Sequence, residues 1–301
     1  MQFRRHDTFY IRKGWINKGI KNLKKHDDLF SNKELYPTDL LGIGANMVKA
    51  LRYWLQAIDL TEETSIKGKR HQVLTDFGKL VYQHDPYTEE LGTLYLLHYK
   101  LASNKEKATS WHYFFNVFNM SSGFTRDDFV NDIDNSLKIE GVSVAKRSLE
   151  DDFNCIINTY IKHDRTTKKK DSPENINDCP LSELGLIDIV SNGKERVFKK
   201  SSPAIETINP WIALSVLMDQ IEENTQEISF TDLLNNENSI GHIFNLTNIN
   251  LIDLLHKMEK TNAVKIIRTA GLDVVHINKY YPFIKCVENY YKELERNELG
   301  V

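Results

Sequence analysis

Lys49, Arg52, Tyr53 and Gln56 recur at i, i+3, i+4 and i+7, so a helix over residues 45–59 aligns them on one face. Arginine and glutamine have the donor geometry to read guanine and adenine edges in a major groove. Lys49 and Tyr53 suit phosphate or sugar contacts, which fix register without reading sequence. Asn46 falls at the amino end of the same helix, beside backbone N–H groups that favour a phosphate. Lys67, Lys69 and Arg70 follow around Gly68, and Arg12 and Lys13 precede them. The first 26 residues hold eight basic side chains against one acid, Asp7, so a chain of net charge −3 carries −10 beyond them. A local basic block on a mildly acidic protein is the footprint of a phosphate-binding face. An ordinary solvated helix face has the same composition, and both readings stand at this point.

Cutting DNA would call for carboxylates that hold a divalent ion such as magnesium or manganese. Asp85 with Glu89 and Glu90, and Glu150-Asp151-Asp152, are the densest acidic groups. Near helix starts such acids are expected on the surface, favoured by the helix dipole. Neither group matches a nuclease signature, so the residues alone name no catalytic set and no metal site. Gly42-Ile43-Gly44 is a turn and not a dinucleotide fingerprint, since no strand precedes it and Met47 holds the third glycine position. Trp111-His112-Tyr113-Phe114-Phe115 with Phe118 reads as core, and His98 among Leu96, Leu97 and Tyr99 as a buried, hydrogen-bonded histidine. Cys155, Cys179 and Cys286 form no CxxC pair and fit reduced thiols. No signal-like or membrane-spanning apolar run is seen, and a cytoplasmic protein with no membrane partner is expected.

The elements that must position these residues are legible in outline. Helical patterns cover residues 15–25, 38–41 with Thr38 as cap, and 45–59. Two short strands, 64–66 and 71–74, flank the basic Gly turn, and Leu74-Thr75-Asp76-Phe77-Gly78 opens another helix. Helix, turn, helix, basic hairpin and helix is the layout of a winged helix, with 45–59 as recognition helix. The layout returns near the carboxyl end: helices over 210–223, a short one capped by Ser229 or Thr231, and 248–261, then strand-like runs 263–267 and 272–277 and a helix over 282–296. Its exposed face carries Asp253 beside Lys257 and Lys260, which suits protein docking as well as DNA. Helical patterns over 91–103, 110–118, 127–138 and 144–161 fill the middle, and 144–161 with 184–190 and 193–199 resembles a third such unit. The expected fold is therefore mainly α with small β-hairpins: two or three winged-helix units joined by a helical middle. The expected divisions are 1–86 for DNA, 87–162, a linker at 163–180 containing Lys168-Lys169-Lys170, and 181–301.

Several motifs together resemble a known family. They are His6-Asp7-Thr8-Phe9-Tyr10-Ile11-Arg12-Lys13-Gly14-Trp15, then Leu41-Gly42-Ile43-Gly44-Ala45-Asn46-Met47-Val48-Lys49-Ala50-Leu51-Arg52-Tyr53-Trp54. Asp85-Pro86-Tyr87, Gly92-Thr93-Leu94-Tyr95-Leu96-Leu97-His98 and Ala108-Thr109-Ser110-Trp111 with Phe114-Phe115-Asn116 continue them. The chain is similar here to the SspB-like proteins of bacterial DNA phosphorothioation systems, a domain of unknown function. The likeness spans most of the chain and is strongest from Phe3 to Phe118. It implies a role in phage defence, with nicking of double-stranded DNA so that sulfur can replace a phosphate oxygen, and a divalent metal if it nicks. It also implies a cysteine desulfurase, an ATPase and a sulfurtransferase-like protein as partners. Arg12, Lys13, Asn46, Lys49 and Arg52 fall within the matching motifs. Three functions stay open: a DNA nickase, a non-catalytic DNA-binding adaptor or regulator, and a protein-interaction scaffold.

Overall fold

The computed structural model describes every residue except Lys33, Ser121, 163–178, 194–195, 270–271 and 300–301. Lys168-Lys169-Lys170 and most of the expected linker lie outside the described residues. The chain divides into two compact units, Met1–Phe114 with Phe118–Lys200, and Phe115–Val117 with Ser201–Val301. Helices predominate and the strands form small antiparallel sheets, as the sequence pattern implies.

The first unit opens with α1 (Trp15–Leu23), whose Trp15, Ile16, Ile20 and Leu23 are buried. α2 (Pro37–Leu41) begins one residue earlier than the pattern suggested, because Pro37 supplies the first helical position and Tyr36, not Thr38, is the cap. Gly42 ends it in the left-handed region, at φ 61°. α3 (Ala45–Ala57) buries Ala50, Leu51, Trp54 and Leu55 and stops two residues short of Asp59. Asp59 instead turns the chain with a φ of 57°. β1 (Thr61–Ile66) and β2 (Lys69–Leu74) pair antiparallel through a Lys67-Gly68 turn in which both residues have positive φ.

α4 (Asp76–His84) is capped by Thr75, whose side chain accepts from the Gly78 N–H at 2.9 Å. Gly78 is required for a second reason. A Cβ there would lie 2.0 Å from the Leu60 carbonyl oxygen, so backbone would have to move. Gly78→Ala is expected to destabilise the protein by about 3 kcal/mol or more, read as a shift in the urea midpoint of the full chain. A change within about 0.5 kcal/mol would mean that this approach is not tight in solution.

α5 (Leu91–Ala102) is apolar on all sides and nearly wholly buried, which makes it the axis of the unit. His98 on it lies 2.7 Å from the Tyr160 hydroxyl, the buried and bonded state expected for it. α6 (Thr109–Asn116), α7 (Arg126–Ile139) and α8 (Lys146–Tyr160) follow. α7 starts with a capping box between Thr125 and Asp128. A 3-10 turn, Pro180–Leu184, leads into β3 (Ile187–Asn192) and β4 (Arg196–Lys200), an antiparallel pair bulged between Ile189 and Ser191. Phe114, Phe118, Phe124, Phe129, Phe153 and Phe198 pack as a ring cluster, with centroids 5.2 Å apart for Phe118 and Phe124 and 5.8 Å for Phe153 and Phe198. The aromatic run is thus core.

Lys200 reaches into that cluster. Its ammonium lies 5.0 Å from the Phe114 ring centroid and donates to the Phe118 carbonyl at 2.6 Å. Burial lowers its pKa to about 7, whereas an unfolded lysine titrates near about 10.4. Below about pH 7 both states hold the proton and the folded state bears the full cost of burying it; between about pH 7 and 10 the folded state sheds it first, and stability rises with pH. Lys200→Met fills the same space without a charge. Its thermal midpoint should exceed the wild-type value most near about pH 6, and the gap should close toward about pH 10. A gap that stays constant across that window would show that the lysine is not held neutral.

The second unit contains α9 (Pro210–Asp219), capped by Asn209, then β5 (Glu227–Ser229), α10 (Phe230–Asn235), α11 (Ile240–Ile243) and α12 (Asn248–Glu259). β6 (Val264–Thr269), β7 (Leu272–Ile277) and α13 (Phe283–Leu299) complete it. The sheet order is β5-β7-β6, all antiparallel. β5 has three residues, too few for alternation to reveal it. Ser229, the first of the two caps considered, accepts from the Asp232 N–H.

Candidate functional site

The outer face of α3 forms one wall of a cleft of about 410 Å³. Lys49, Arg52, Tyr53 and Gln56 all line it, as helical spacing requires. The amino-terminal segment forms the facing wall with Gln2, Arg4, Arg5 and Asp7. Glu63 and Arg70 enter from the β1–β2 hairpin, and Lys107 completes the rim. Six cationic side chains thus face two acidic ones, and the summed field favours an anion.

A buried carboxylate holds the amino-terminal wall in place. Asp152, on α8 and 1% exposed, accepts three hydrogen bonds. The Arg4 N–H donates at 2.8 Å, the His6 ring lies with Nε2 at 2.7 Å, and the Ser110 hydroxyl donates at 2.5 Å. The Thr8 N–H donates to His6 Nδ1 at 3.0 Å, which places the imidazole proton on Nε2, facing Asp152. The ring also stacks on Trp54 at 6.0 Å and meets the edge of Trp111 at 5.5 Å. Arg4 Nε lies 2.7 Å from Asp151, and the Gln2 N–H donates to Thr109 Oγ1 at 2.9 Å. These anchors hold Arg4, Asp7 and Thr8 at φ of 53°, 49° and 67°, a left-handed backbone that costs free energy unless its surroundings fix it.

Ser110, His6 and Asp152 are not a nucleophilic triad. The serine donates to the carboxylate and not to the imidazole, so the histidine is not placed to take its proton. Burial, and then the neighbouring Asp152, push the Tyr53 phenol well above its usual pKa, so this cleft-lining residue stays neutral. Arg52 and Gln56 converge on Glu63. Arg52 Nε and Nη2 lie 2.7 and 2.6 Å from Glu63 Oε1, and Gln56 Nε2 donates to the same oxygen at 3.0 Å.

The sequence pattern of the family described as protein of unknown function (DUF4007) matches residues 3–291. The chain belongs to the DUF4007 family. Two solved structures resemble this DUF4007 protein closely in fold, each with a TM-score of 0.81. One, described as a magnesium ion-bound SspB crystal structure, is 24% identical and aligns over 99% of this chain and 87% of its own. The other, described as an SspB crystal structure, is 25% identical over 98% of this chain and 87% of its own. No curated protein matches. The resemblance drawn from the motifs therefore holds at the level of fold.

Of the residues singled out in sequence, Lys49, Arg52, Tyr53, Gln56 and Arg70 meet at the cleft of this DUF4007 protein. Asn46 is exposed on the first turn of α3, which has no side-chain cap at Gly44, and lies 3.4 Å from the Lys49 ammonium. Lys69 pairs with Ile66 and points to the hairpin face opposite Arg70, since side chains alternate along a strand. Lys13 is exposed, 3.7 Å from Glu89. Arg12 is buried, with its guanidinium 5.8 Å from the Phe9 ring centroid and 5.5 Å from that of Trp15; it does not line the cleft.

Two acidic groups expected on the surface are corrected. Asp151 and Asp152 are buried against the amino-terminal segment. Asp85 is also buried and accepts from the Glu89 and Glu90 N–H groups ahead of α5. Gln2, Asp7, Glu63 and Lys107 went unnoticed as cleft residues, because none belongs to a periodic pattern. Among the described residues no three His, Cys, Asp or Glu side chains gather as a metal-ion set, and no helix is long and apolar enough to cross a membrane.

The second unit offers no comparable cationic face on α12. The Lys257 ammonium donates to the Ile205, Glu206 and Ile208 carbonyls at 2.7, 3.1 and 2.7 Å. Residues 201–301 carry 14 acidic against 8 basic side chains, a composition that disfavours phosphate.

Proposed function

We propose that this protein is the DNA-binding component of a phosphorothioation-linked antiphage system and nicks duplex DNA to admit sulfur. The observation that carries this reading is the cleft itself, where α3, the hairpin, the clamped amino-terminal segment and Lys107 present six cations around a neutral tyrosine and a glutamine. Residues 1–86 are read as a winged helix with α3 as recognition helix, because three helices, a hairpin and a further helix follow one another there. Residues 87–162 are read as the helical middle, and the expected winged-helix region 181–301 is read from Ser201 onward, since the described residues up to Lys200 belong to the first compact unit. Lys49, Arg52, Tyr53, Gln56 and Arg70 are the proposed central DNA contacts, with Asn46, Lys13 and Lys69 at their flanks. Likeness in fold to SspB supports the phosphorothioation setting, and with it a cysteine desulfurase, an ATPase and a sulfurtransferase-like protein as partners.

Magnesium is named for one of those structures. Such an ion commonly takes one or two protein carboxylates and completes its shell with phosphate and water. Asp7, set among Arg4, Arg5 and Lys49 in a cleft whose field favours an anion, does not by itself make such a site. The residues of this chain would orient the backbone and neutralise its charge.

Supercoiled plasmid incubated with the protein, magnesium or manganese and the partner proteins should become open circles. Salt-sensitive binding with no strand breakage would replace nicking with the adaptor role, which the predominance of cations over acids in the cleft also favours. Absence of binding at low salt would leave the scaffold role.

A further inference from the structure

We propose that Glu63 is an internal phosphate mimic that the DNA backbone must displace, and that it thereby sets the affinity of the cleft. The inference rests on the DNA-binding reading above and adds a residue that works against binding. One oxygen, Glu63 Oε1, meets both Arg52 nitrogens and the Gln56 amide. A planar guanidinium fork and a neighbouring amide around one anionic oxygen is the arrangement a phosphate oxygen would take. The two residues best shaped to hold DNA are therefore already occupied by an acid of the same chain.

The occupant is placed to leave. β1 is exposed from Glu62 onward and only Thr61 at its base is buried, where its hydroxyl accepts from Gln72 at 2.6 Å. Glu63 lies two residues beyond that anchor, opposite Gln72 in the register. The Arg52 and Glu63 side chains are each 29% exposed, and ion pairs in contact with water contribute little net stability. A polyanion held at once by Arg4, Arg5, Lys49 and Arg70 can supply the oxygen that Glu63 gives up, whereas an isolated anion touching Arg52 alone cannot. Glu63 thus penalises partial engagement and favours a backbone that spans the whole cleft.

Fluorescence anisotropy of full-length protein with a labelled duplex, across a salt series, tests the proposal. Glu63→Gln keeps the shape and removes the charge. It should bind about five-fold tighter than wild type at moderate salt, where electrostatic terms are still sizeable. Glu62→Gln, on the opposite face of the same strand, should leave affinity unchanged and serves as the charge control. In an Arg52→Ala background, Glu63→Gln should no longer tighten binding, since the fork it blocks is gone. Equal or weaker binding by Glu63→Gln would overturn the proposal and make the glutamate a support for Arg52. Equal tightening with and without Arg52 would also overturn it, leaving only a general charge effect. Absence of binding by wild type and Glu63→Gln alike, even at low salt, would overturn the DNA reading itself. Thermal melts of each variant confirm that the hairpin remains folded.

Discussion

Replacing Lys49 and Arg52 together by alanine is expected to weaken duplex binding about 100-fold at moderate salt and to flatten the salt dependence of log K by about 1.8, two phosphate contacts' worth. Both side chains lie on the α3 face that lines the cleft, one exposed and one partly exposed, and neither contributes to the core. Each would give a charge-assisted hydrogen bond to a phosphate, worth about 1.5–3 kcal/mol. Part of the Arg52 contribution is offset by the Glu63 contact it must surrender, which is why the expected loss is not larger. Stability should change by no more than about 0.5 kcal/mol, since surface changes away from caps and cores seldom do more. A melting midpoint like that of wild type, together with a lost salt slope, assigns the effect to DNA. Unchanged affinity would remove α3 from the interface.

Asp152→Ala should have the largest coupled effect on stability and binding. The carboxylate is buried and accepts from the Arg4 N–H, the His6 ring and the Ser110 hydroxyl. Removing it strands three donors together and should cost about 3 kcal/mol or more. The residues it anchors, Arg4 and His6, flank Arg5 and immediately precede Asp7 in a left-handed backbone that depends on this clamp. The segment should therefore leave the cleft, exposing Arg4 and Arg5 to trypsin and lowering DNA affinity about ten-fold through the loss of two cations. Asp152→Asn should be milder. Its remaining oxygen can still accept from Arg4 and His6, and Ser110 can rotate its hydroxyl to accept from the new amide. If Asp152→Ala unfolds readily yet retains full affinity in the folded fraction, the segment is structural only.

These two expectations differ in how far the sequence alone could reach them. The Lys49 to Gln56 stripe was visible because a helix repeats every 3.6 residues and the opposite face, with Leu51 and Leu55, is apolar. The Asp152 clamp was not visible, because it joins residues 146 and 148 positions apart, and acidic residues in a row ordinarily indicate solvent. Arg12 belongs to the same basic block as Arg4 and Arg5, but the rings of Phe9 and Trp15 cover it. Composition registers the charge of a block and not the direction of each side chain. Glu63 was missed for a related reason: a lone acid in an exposed strand has no signature until the hairpin register sets it opposite Gln72, on the side facing Arg52. The hairpins themselves were legible from Gly68 and the alternating residues, whereas β5, with three residues, was not.

Amide hydrogen exchange of the full-length protein, with and without a saturating duplex, tests the central claim most directly. Binding in the cleft predicts slower exchange in residues 2–8, in the first turns of α3 and along β1 and β2, with α12, β6 and β7 unchanged. Protection of α12 and its hairpin, with the first unit unaffected, would contradict the assignment of DNA to the first unit.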